Sequence, residues 1–166
     1  MHPETKKPNL EHVYSVCNTL SQFLKKGDLV ILESTSPVGT TRNICKFFAL
    51  KRPDLRFPLE GDSNPDVNIA YCPERIIPGN TLYELKNNDR IIGGMSDECG
   101  KYARELYNLI SNGECIVTSP ENAELMKLAE NSYRDVNIAF ANELSIICDR
   151  YGIDVREAIK LANRHP

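Results

Sequence analysis

Three features are missing from this 166-residue chain: tryptophan, a long apolar run and an excess of one charge. Its longest unbroken apolar segments, 29–32 and 138–141, fall far short of the roughly 18 residues that a membrane-spanning helix needs. No apolar stretch follows Met1, which argues against an export signal. Its 20 basic and 23 acidic residues are mixed, without the polybasic stripe that binds nucleic acid. We therefore expect a cytoplasmic protein that binds neither a membrane nor nucleic acid.

Metal-binding cysteine motifs are also missing. The six cysteines are spread along the chain, with no CxxC and no Cys/His spacing of the kind that holds zinc. Unpaired thiols in apolar surroundings are typical of small core residues in a reducing cytosol. The sequence therefore predicts no metal site, and spacing alone singles out no catalytic thiol.

The glycine-rich turn GxGxxG, which cradles the pyrophosphate of a dinucleotide, does not occur. The sequence begins directly before a predicted helix and ends without a stop signal or a solvating tail. From these patterns we expect an internal fragment of a longer protein.

Short apolar segments alternate with helical patterns, which favours a parallel α/β sheet. A first helix over 9–24 is followed by cations and Gly27, and later helix starts are expected at Ser36-Pro37, Ser96 and Ser119. The predicted order is α-β-α-β-α-β-α-β and then a long helix. The predicted strands are Leu29–Ser34, Val67–Cys72, Arg90–Gly93 and Glu114–Thr118.

The long helix, predicted over 120–150 with Gly152 as its stop, is the strongest pattern in the sequence. Its apolar residues recur at spacings of three and four, and its length is about 46 Å at 1.5 Å per residue. Such a helix more often links two domains or forms a subunit interface than hides inside one domain. A short helix over 154–162 is predicted to follow, capped by Asp154. The apolar positions are Leu125, Ala129, Tyr133, Val136, Phe140, Leu144 and Ile147.

Opposite this apolar stripe lie Lys127, Asn131 and Arg134. Lys127 and Asn131 are i, i+4 neighbours, so an ammonium and a carboxamide can face the same cleft. Spacing alone also allows a solvated helix face, stabilised by an i, i+3 pair between Glu124 and Lys127. Both interpretations stay open at this point.

Two segments that follow predicted strands could contact a ligand. Residues 33–41, ESTSPVGTT, combine hydroxyl groups with a helix start, which suits either an anionic ligand or a plain N-cap. In the segment 71–79, YCPERIIPG, the guanidinium of Arg75 could bind a phosphate or carboxylate, although a plain loop is the simpler interpretation. Cys72 has no nearby histidine except His12, which argues against a nucleophilic role.

At these segments the sequence resembles the UDP-glucose/GDP-mannose dehydrogenase family. The resemblance covers nearly everything from Gly27 to Pro166, in order. It departs from the glucose-type members at Pro78, where they place a glutamate, so a glucose substrate is not expected. The matching runs are GDLVILESTSPVGTT, DVNIAYCPERIIPG, NDRIIGGM and KLAENSYRDVNIAFANELSIICDRYGID, followed by LANRHP.

The resemblance implies an α/β fold: 1–118 as the later part of a Rossmann-like NAD-binding domain, and 119–166 as the start of an all-α central domain. It further implies a homodimer formed through the long helix. The family's reaction is a two-step, NAD-dependent oxidation of the C6 alcohol of a nucleotide sugar, here a UDP-sugar, to the carboxylate through a catalytic cysteine.

The resemblance also assigns roles to individual residues. Lys127 aligns with a catalytic lysine that acts on the C6 oxygen, and Asn131 aligns with its partner asparagine. Thr35 matches a threonine that faces NAD. The residues matched to substrate binding, besides Lys127 and Asn131, are Arg75, the backbone of Ile76, Arg134 and His165.

The family's nucleophilic cysteine lies in a GGxC-type segment, which these 166 residues do not contain. We therefore expect no dehydrogenase activity from this polypeptide alone. Two alternatives are a β-hydroxyacid dehydrogenase of the 6-phosphogluconate type, which shares the K-x-x-x-N spacing, and a non-enzymatic dimerisation module.

Overall fold

In the computed structural model, residues 8–59, 64–76 and 79–165 are described. Six helices and four strands alternate within these ranges, in the order that the sequence predicts. The strands are β1 (Leu29–Leu32), β2 (Asn68–Tyr71), β3 (Arg90–Gly94) and β4 (Cys115–Thr118). The helices are α1 (Glu11–Leu20), α2 (Thr40–Lys51), α3 (Thr81–Asn87), α4 (Asp97–Asn108), α5 (Pro120–Tyr151) and α6 (Val155–Ala162).

The four strands form one sheet in the order β1-β2-β3-β4. The α/β class is confirmed, but the expectation of a fully parallel sheet is wrong at one position. β1 pairs with β2 and β3 with β4 in parallel, whereas β2 and β3 are antiparallel. A parallel connection needs a helix packed across the sheet, and the short helix α3 has no buried residue, so no such crossover forms.

The carboxyl ends of all four strands lie at one level of the sheet. Leu32 pairs with Tyr71, Tyr71 with Gly93, and Gly93 with Thr118. The antiparallel pair overlaps only near these ends, so β3 and β4 extend away from β1 and β2. Segments leaving the strands therefore meet along one line, next to the start of α5.

Apolar side chains fill both faces of the sheet. On β2, Ile69 belongs to the cluster that contains Cys17, Ile44 and Phe48 of α1 and α2. The next residue, Ala70, belongs to a second cluster with α4. This alternation follows from the two-residue period of a strand and gives a three-layer arrangement of helices on both sides of the sheet.

The start of α2 differs from the expected one. Ser36 does not cap this helix, because its hydroxyl donates to the carbonyl of Ser34 at 2.9 Å. α2 begins three residues later than Pro37, after Gly39, whose φ of 90° lies in the left-handed region that suits glycine. The predicted caps at Ser96 and Asp154 are confirmed, since both side chains accept a backbone N–H of the following helix.

All six cysteines are free thiols, and all but the half-buried Cys115 are buried. Burial raises the pKa of Cys45 to about 12 and raises that of Cys72 as well. Because the thiolate is the reactive form, these buried thiols are poor nucleophiles near neutral pH. Their predicted role as small core residues fits this environment.

α5 runs without interruption for 32 residues, as its periodicity predicts. The chain divides within this helix into two compact units, 1–128 and 129–166. In the second unit the predicted apolar stripe is open to solvent, with Tyr133 75% and Phe140 68% exposed. None of the described helices is long and apolar enough to cross a membrane.

Candidate functional site

Lys127 lies in the second turn of α5 and is only 8% exposed. Within the part of the chain that the structure describes, its ammonium has neither a hydrogen bond nor an ion pair. Among the described residues, the buried polar side-chain atoms without a hydrogen bond are the Tyr71 hydroxyl and Nε of Arg90, so Nζ of Lys127 keeps some contact with solvent although the rest of its side chain is enclosed. The solvated-face interpretation is therefore wrong for most of the Lys127 side chain, while its ammonium is accessible and has no partner within the protein.

Glu124, one turn before Lys127, is fully buried. Its carboxylate accepts the backbone N–H of Gly39 at 2.6 Å and the N–H of Thr41 at 2.8 Å. It also accepts the hydroxyl of Thr41 at 2.7 Å. These are the unpaired N–H groups at the start of α2, where the helix dipole also favours a negative charge. The start of α2 is thus closed by a protein carboxylate and is not a free anion site.

Two further contacts hold the first turn of α5 in place. A side chain at Gly93 would come within 2.5 Å of the Cα of Pro120 and 3.0 Å of the Cβ of Ala123. Only glycine therefore lets α5 approach β3 this closely. On the other side, Arg42 of α2 pairs with Glu121 at 2.7 Å.

Tyr71, at the end of β2, carries a buried hydroxyl that makes no hydrogen bond of good geometry among the described residues, although the backbone of Ser36 is close enough to oppose the rise in its pKa. Burial, followed by the negative charge of Glu124, raises the pKa of Tyr71 to about 12. The hydroxyl therefore stays protonated at neutral pH. With Glu124 and Lys127, three polar side chains are buried around the start of α5.

Thr35 lies at the exposed end of the segment that follows β1. It lines a cleft of about 340 Å³ together with Ser36, Pro37, Leu128 and the segment 8–10. Leu128 directly follows Lys127, so the cleft borders the start of α5. Thr35 is thus exposed near the strand ends, whereas the N–H groups of Gly39 and Thr41 at the start of α2 are already bonded to Glu124.

Arg75 and Ile76 lie in the loop after β2 and are half-buried. The guanidinium of Arg75 donates to the carbonyl of Asp89 at 2.9 Å, which fixes it beside the start of β3. Glu74 turns back and accepts the backbone N–H groups of Arg75 and Ile76 at 2.7 and 2.9 Å. The N–H of Ile76 is thus occupied in this structure by Glu74, and Pro78 lies outside the described residues.

Asn131, Arg134 and His165 belong to the second compact unit and are exposed. The first two continue α5, and His165 follows α6. The structure therefore places Lys127 and Thr35 in one unit and these three residues in the other.

Glu124 is the residue that sequence reasoning misjudged. An acidic residue early in a helix, three positions before a lysine, is typical of a solvated ion pair. The adjacent Ala123 is the one feature of the sequence that could have indicated burial of Glu124, because a small residue allows this turn of α5 to pack closely against the sheet. No group of three potential metal-ligating side chains occurs among the described residues.

A mostly parallel sheet whose strand ends meet beside the start of a long helix is a Rossmann-like α/β architecture. The chain belongs to the UDP-glucose/GDP-mannose dehydrogenase family. Residues 2–111 match the family's NAD binding domain and residues 121–166 match its central domain.

Individual relatives agree with this assignment. The chain is 56% identical over 160 residues to the UDP-N-acetyl-D-mannosamine dehydrogenase of Yersinia pestis, covering 96% of this chain and 38% of that protein. It is 51% identical over 163 residues to the NDP-N-acetyl-D-galactosaminuronic acid dehydrogenase of Ralstonia nicotianae, covering 98% of this chain and 38% of that protein.

Among solved structures, the UDP-D-ManNAc dehydrogenase of Pyrococcus horikoshii superposes with a TM-score of 0.87 at 39% identity. The match covers 96% of this chain and 37% of that one. The chain thus spans a little over a third of the length of the relatives it matches.

Proposed function

We propose that this chain supplies part of the active site of an NAD-dependent dehydrogenase that oxidises the C6 alcohol of UDP-N-acetylmannosamine to the carboxylate. In this proposal residues 1–118 form the last part of the NAD-binding domain, and residues 119–166 form the first part of the central helical domain. The supporting observation is the largely buried side chain of Lys127, whose ammonium has no partner within the protein, because a reaction that develops negative charge on an oxygen needs a cation held in place.

Lys127 is the catalytic residue of the proposal. Its ammonium would donate a hydrogen bond to the C6 oxygen, which gains negative charge as the alcohol is oxidised. A charge-assisted hydrogen bond of this kind is stronger than a neutral one, and burial strengthens it further. NAD, when bound, accepts the hydride from C6.

Asn131 is the second catalytic residue of the proposal. It follows Lys127 by four residues on the continuous helix α5, a spacing that places two side chains on one side of a helix. Its carboxamide can donate a hydrogen bond to the same oxygen or accept one from water, which orients the reacting groups without changing their charge.

We assign substrate binding to Arg75, Ile76, Arg134 and His165, and a cofactor contact to Thr35. Arg75 carries a guanidinium that is already oriented by Asp89, which suits a phosphate or sugar oxygen. For the N–H of Ile76 to bind substrate, Glu74 has to release it, so substrate binding would rearrange this loop. Thr35 fits a cofactor contact because it is exposed at a strand end and lines a cleft.

The mannosamine-type sugar is favoured over glucose by the relatives and by Pro78 in the loop where glucose-type members carry glutamate. The galactosaminuronic acid dehydrogenase among the relatives makes a galacto-configured sugar the next candidate. We place the reaction in the cytoplasm, which is consistent with six unpaired thiols.

We also propose that the second unit forms a homodimer. Its support is the exposed apolar stripe of α5, since contiguous apolar patches on a surface mark interaction sites. The stripe includes Tyr133, Val136, Phe140 and Ile147, each at least half exposed.

The test uses selective labelling of lysines in the 166-residue chain. An amine-reactive reagent is applied with and without UDP-N-acetylmannosamine, UDP-glucose or NAD, and each lysine is quantified by mass spectrometry. We expect UDP-N-acetylmannosamine to slow the labelling of Lys127 but not that of exposed Lys101, and UDP-glucose to have a weaker effect. Equal labelling of Lys127 with and without every nucleotide sugar would contradict the proposal. No NAD reduction is expected from this chain.

A further inference from the structure

Glu124 is a fully buried acidic residue to which the proposed reaction gives no role. Its nearest bonding partners are not on its own helix but at the start of α2, 83 and 85 residues earlier in the chain. A buried carboxylate is retained only where hydrogen bonds compensate its lost hydration. Its three hydrogen bonds to Gly39 and Thr41 meet this requirement.

The start of a helix is usually capped by the side chain of a residue next to it in sequence. α2 has no such cap. Gly39 has no side chain, and the hydroxyl of Ser36 bonds to Ser34 instead. The cap is supplied by α5, so the hydrogen bonds that complete α2 also determine where the first turns of α5 lie. Capping and positioning are therefore combined in one side chain.

Lys127 is three residues after Glu124, on the same side of the helix and less than one turn further along. Its backbone position is set by the turn that contains Glu124. The contact of Ala123 with Gly93 and the pair between Arg42 and Glu121 hold the same turn from two other directions. Of these three contacts, only the one made by Glu124 involves a buried charge.

We propose that Glu124 is a positioning residue, whose carboxylate fastens α5 to the start of α2 and thereby keeps the Lys127 side chain largely buried and in a fixed place. The inference rests on the proposed role of Lys127 for its functional meaning. Its physical content, the link between Glu124 and the burial of Lys127, is measurable without any ligand.

The experiment compares the rate at which Lys127 reacts with an amine reagent in the wild-type chain and in Glu124→Gln, without nucleotide. Glutamine keeps the shape but places an NH2 group against N–H donors, which breaks at least one hydrogen bond. We expect Lys127 to label at least about fivefold faster, the effect of one such lost bond on a local opening equilibrium. Exposed Lys101 and Lys160 serve as internal references and should not change.

The matched control is Glu121→Gln, which removes a partly exposed ion pair between the same two helices. We expect it to change the labelling of Lys127 less than about twofold, because such pairs are worth little. Equal acceleration in both variants, or no acceleration in Glu124→Gln, would overturn the proposal.

Thr41→Val tests the same link from the α2 side and keeps α5 unchanged. It removes one donor to Glu124 and should accelerate the labelling of Lys127 by about twofold or more. If Glu124→Gln does not fold, this variant decides alone: an unchanged Lys127 rate overturns the proposal. Because no ligand is present, this outcome is separate from a failure of nucleotide-sugar protection.

Discussion

The carboxylate of Glu124 accepts both the backbone N–H and the hydroxyl of Thr41, at 2.8 and 2.7 Å, across 83 residues of sequence. This relationship joins the start of α2 to the start of α5, directly beside the buried Lys127. The neighbouring residues in sequence provide no side-chain cap for α2, and the negatively charged Glu124 supplies the missing acceptor.

Removing this carboxylate should be the most destabilising single change near the site. Glu124→Ala leaves two N–H groups and one hydroxyl without an acceptor, which should lower the free energy of unfolding by about 3 kcal/mol. Urea denaturation monitored by circular dichroism measures the change. Glu121→Ala is the control, with an expected loss of at most about 1 kcal/mol. Similar losses in both variants would show that the buried hydrogen bonds are not what holds α5.

Lys127→Met should separate stability from ligand binding. It removes an ammonium that has no partner within the protein and keeps an unbranched side chain, so the free energy of unfolding should change by less than about 1 kcal/mol. The same variant should lose any increase in Tm that UDP-N-acetylmannosamine gives the wild type. Lys101→Met, on the exposed face of α4, should retain that increase. A loss of more than about 1 kcal/mol in the Lys127→Met protein would indicate that the ammonium has a protein partner.

Gly93→Ala should displace α5 from the sheet. The added Cβ would lie 2.5 Å from the Cα of Pro120, a backbone atom that cannot rotate away. We expect a loss of about 2 kcal/mol or more in the free energy of unfolding. Gly27→Ala is a useful comparison because its Cβ meets no atom and only its φ of 89° is unfavourable, at about 1 kcal/mol. A smaller effect at Gly93 than at Gly27 would contradict the close approach.

Acid should remove a stabilising contribution of Asp66. Hydrogen bonds from the side chain and backbone of Arg56, together with Lys26, lower the pKa of Asp66 to about 2. The unfolded value is about 4, so the folded state binds fewer protons and the contribution is fully present above that pH. It is lost as the pH falls from about 4 to about 2. The Tm of Asp66→Asn should therefore fall less steeply than that of the wild type over this range, and parallel curves would contradict the assignment.

The exposed stripe of α5 should support self-association. Light scattering is expected to give the mass of a dimer for the wild-type chain and of a monomer for Phe140→Glu, since a charge in an apolar interface loses its hydration. Leu50→Glu, at an exposed position of α2, is the matched control and should leave the mass unchanged. A wild-type monomer, or dissociation by both substitutions, would contradict the proposed interface.

Local patterns determined much of the secondary structure. Each predicted strand overlaps the observed one, and α5 ends within one residue of its predicted end. These features depend on periodicity and on helix caps, which neighbouring residues encode. The first helix is shorter than predicted, because its last apolar residues continue as a turn after Leu20.

The direction of β3 could not be predicted. A short apolar strand such as RIIGG has the same pattern in parallel and antiparallel pairs. Its direction depends on whether the preceding connection crosses the sheet, and α3 does not bury the residues that such a crossover would need.

The sequence alone therefore determined the α/β class, the order of elements, the long helix and, through the resemblance, the family and Lys127 as a candidate. Only the tertiary structure decided that β2 and β3 are antiparallel, that Glu124 closes the start of α2 and that Lys127 is buried without a partner. The physical reason is that burial and hydrogen bonding depend on residues far apart in sequence. In the sequence, a glutamate near the start of a helix has the same pattern of neighbours whether its side chain faces water or another helix.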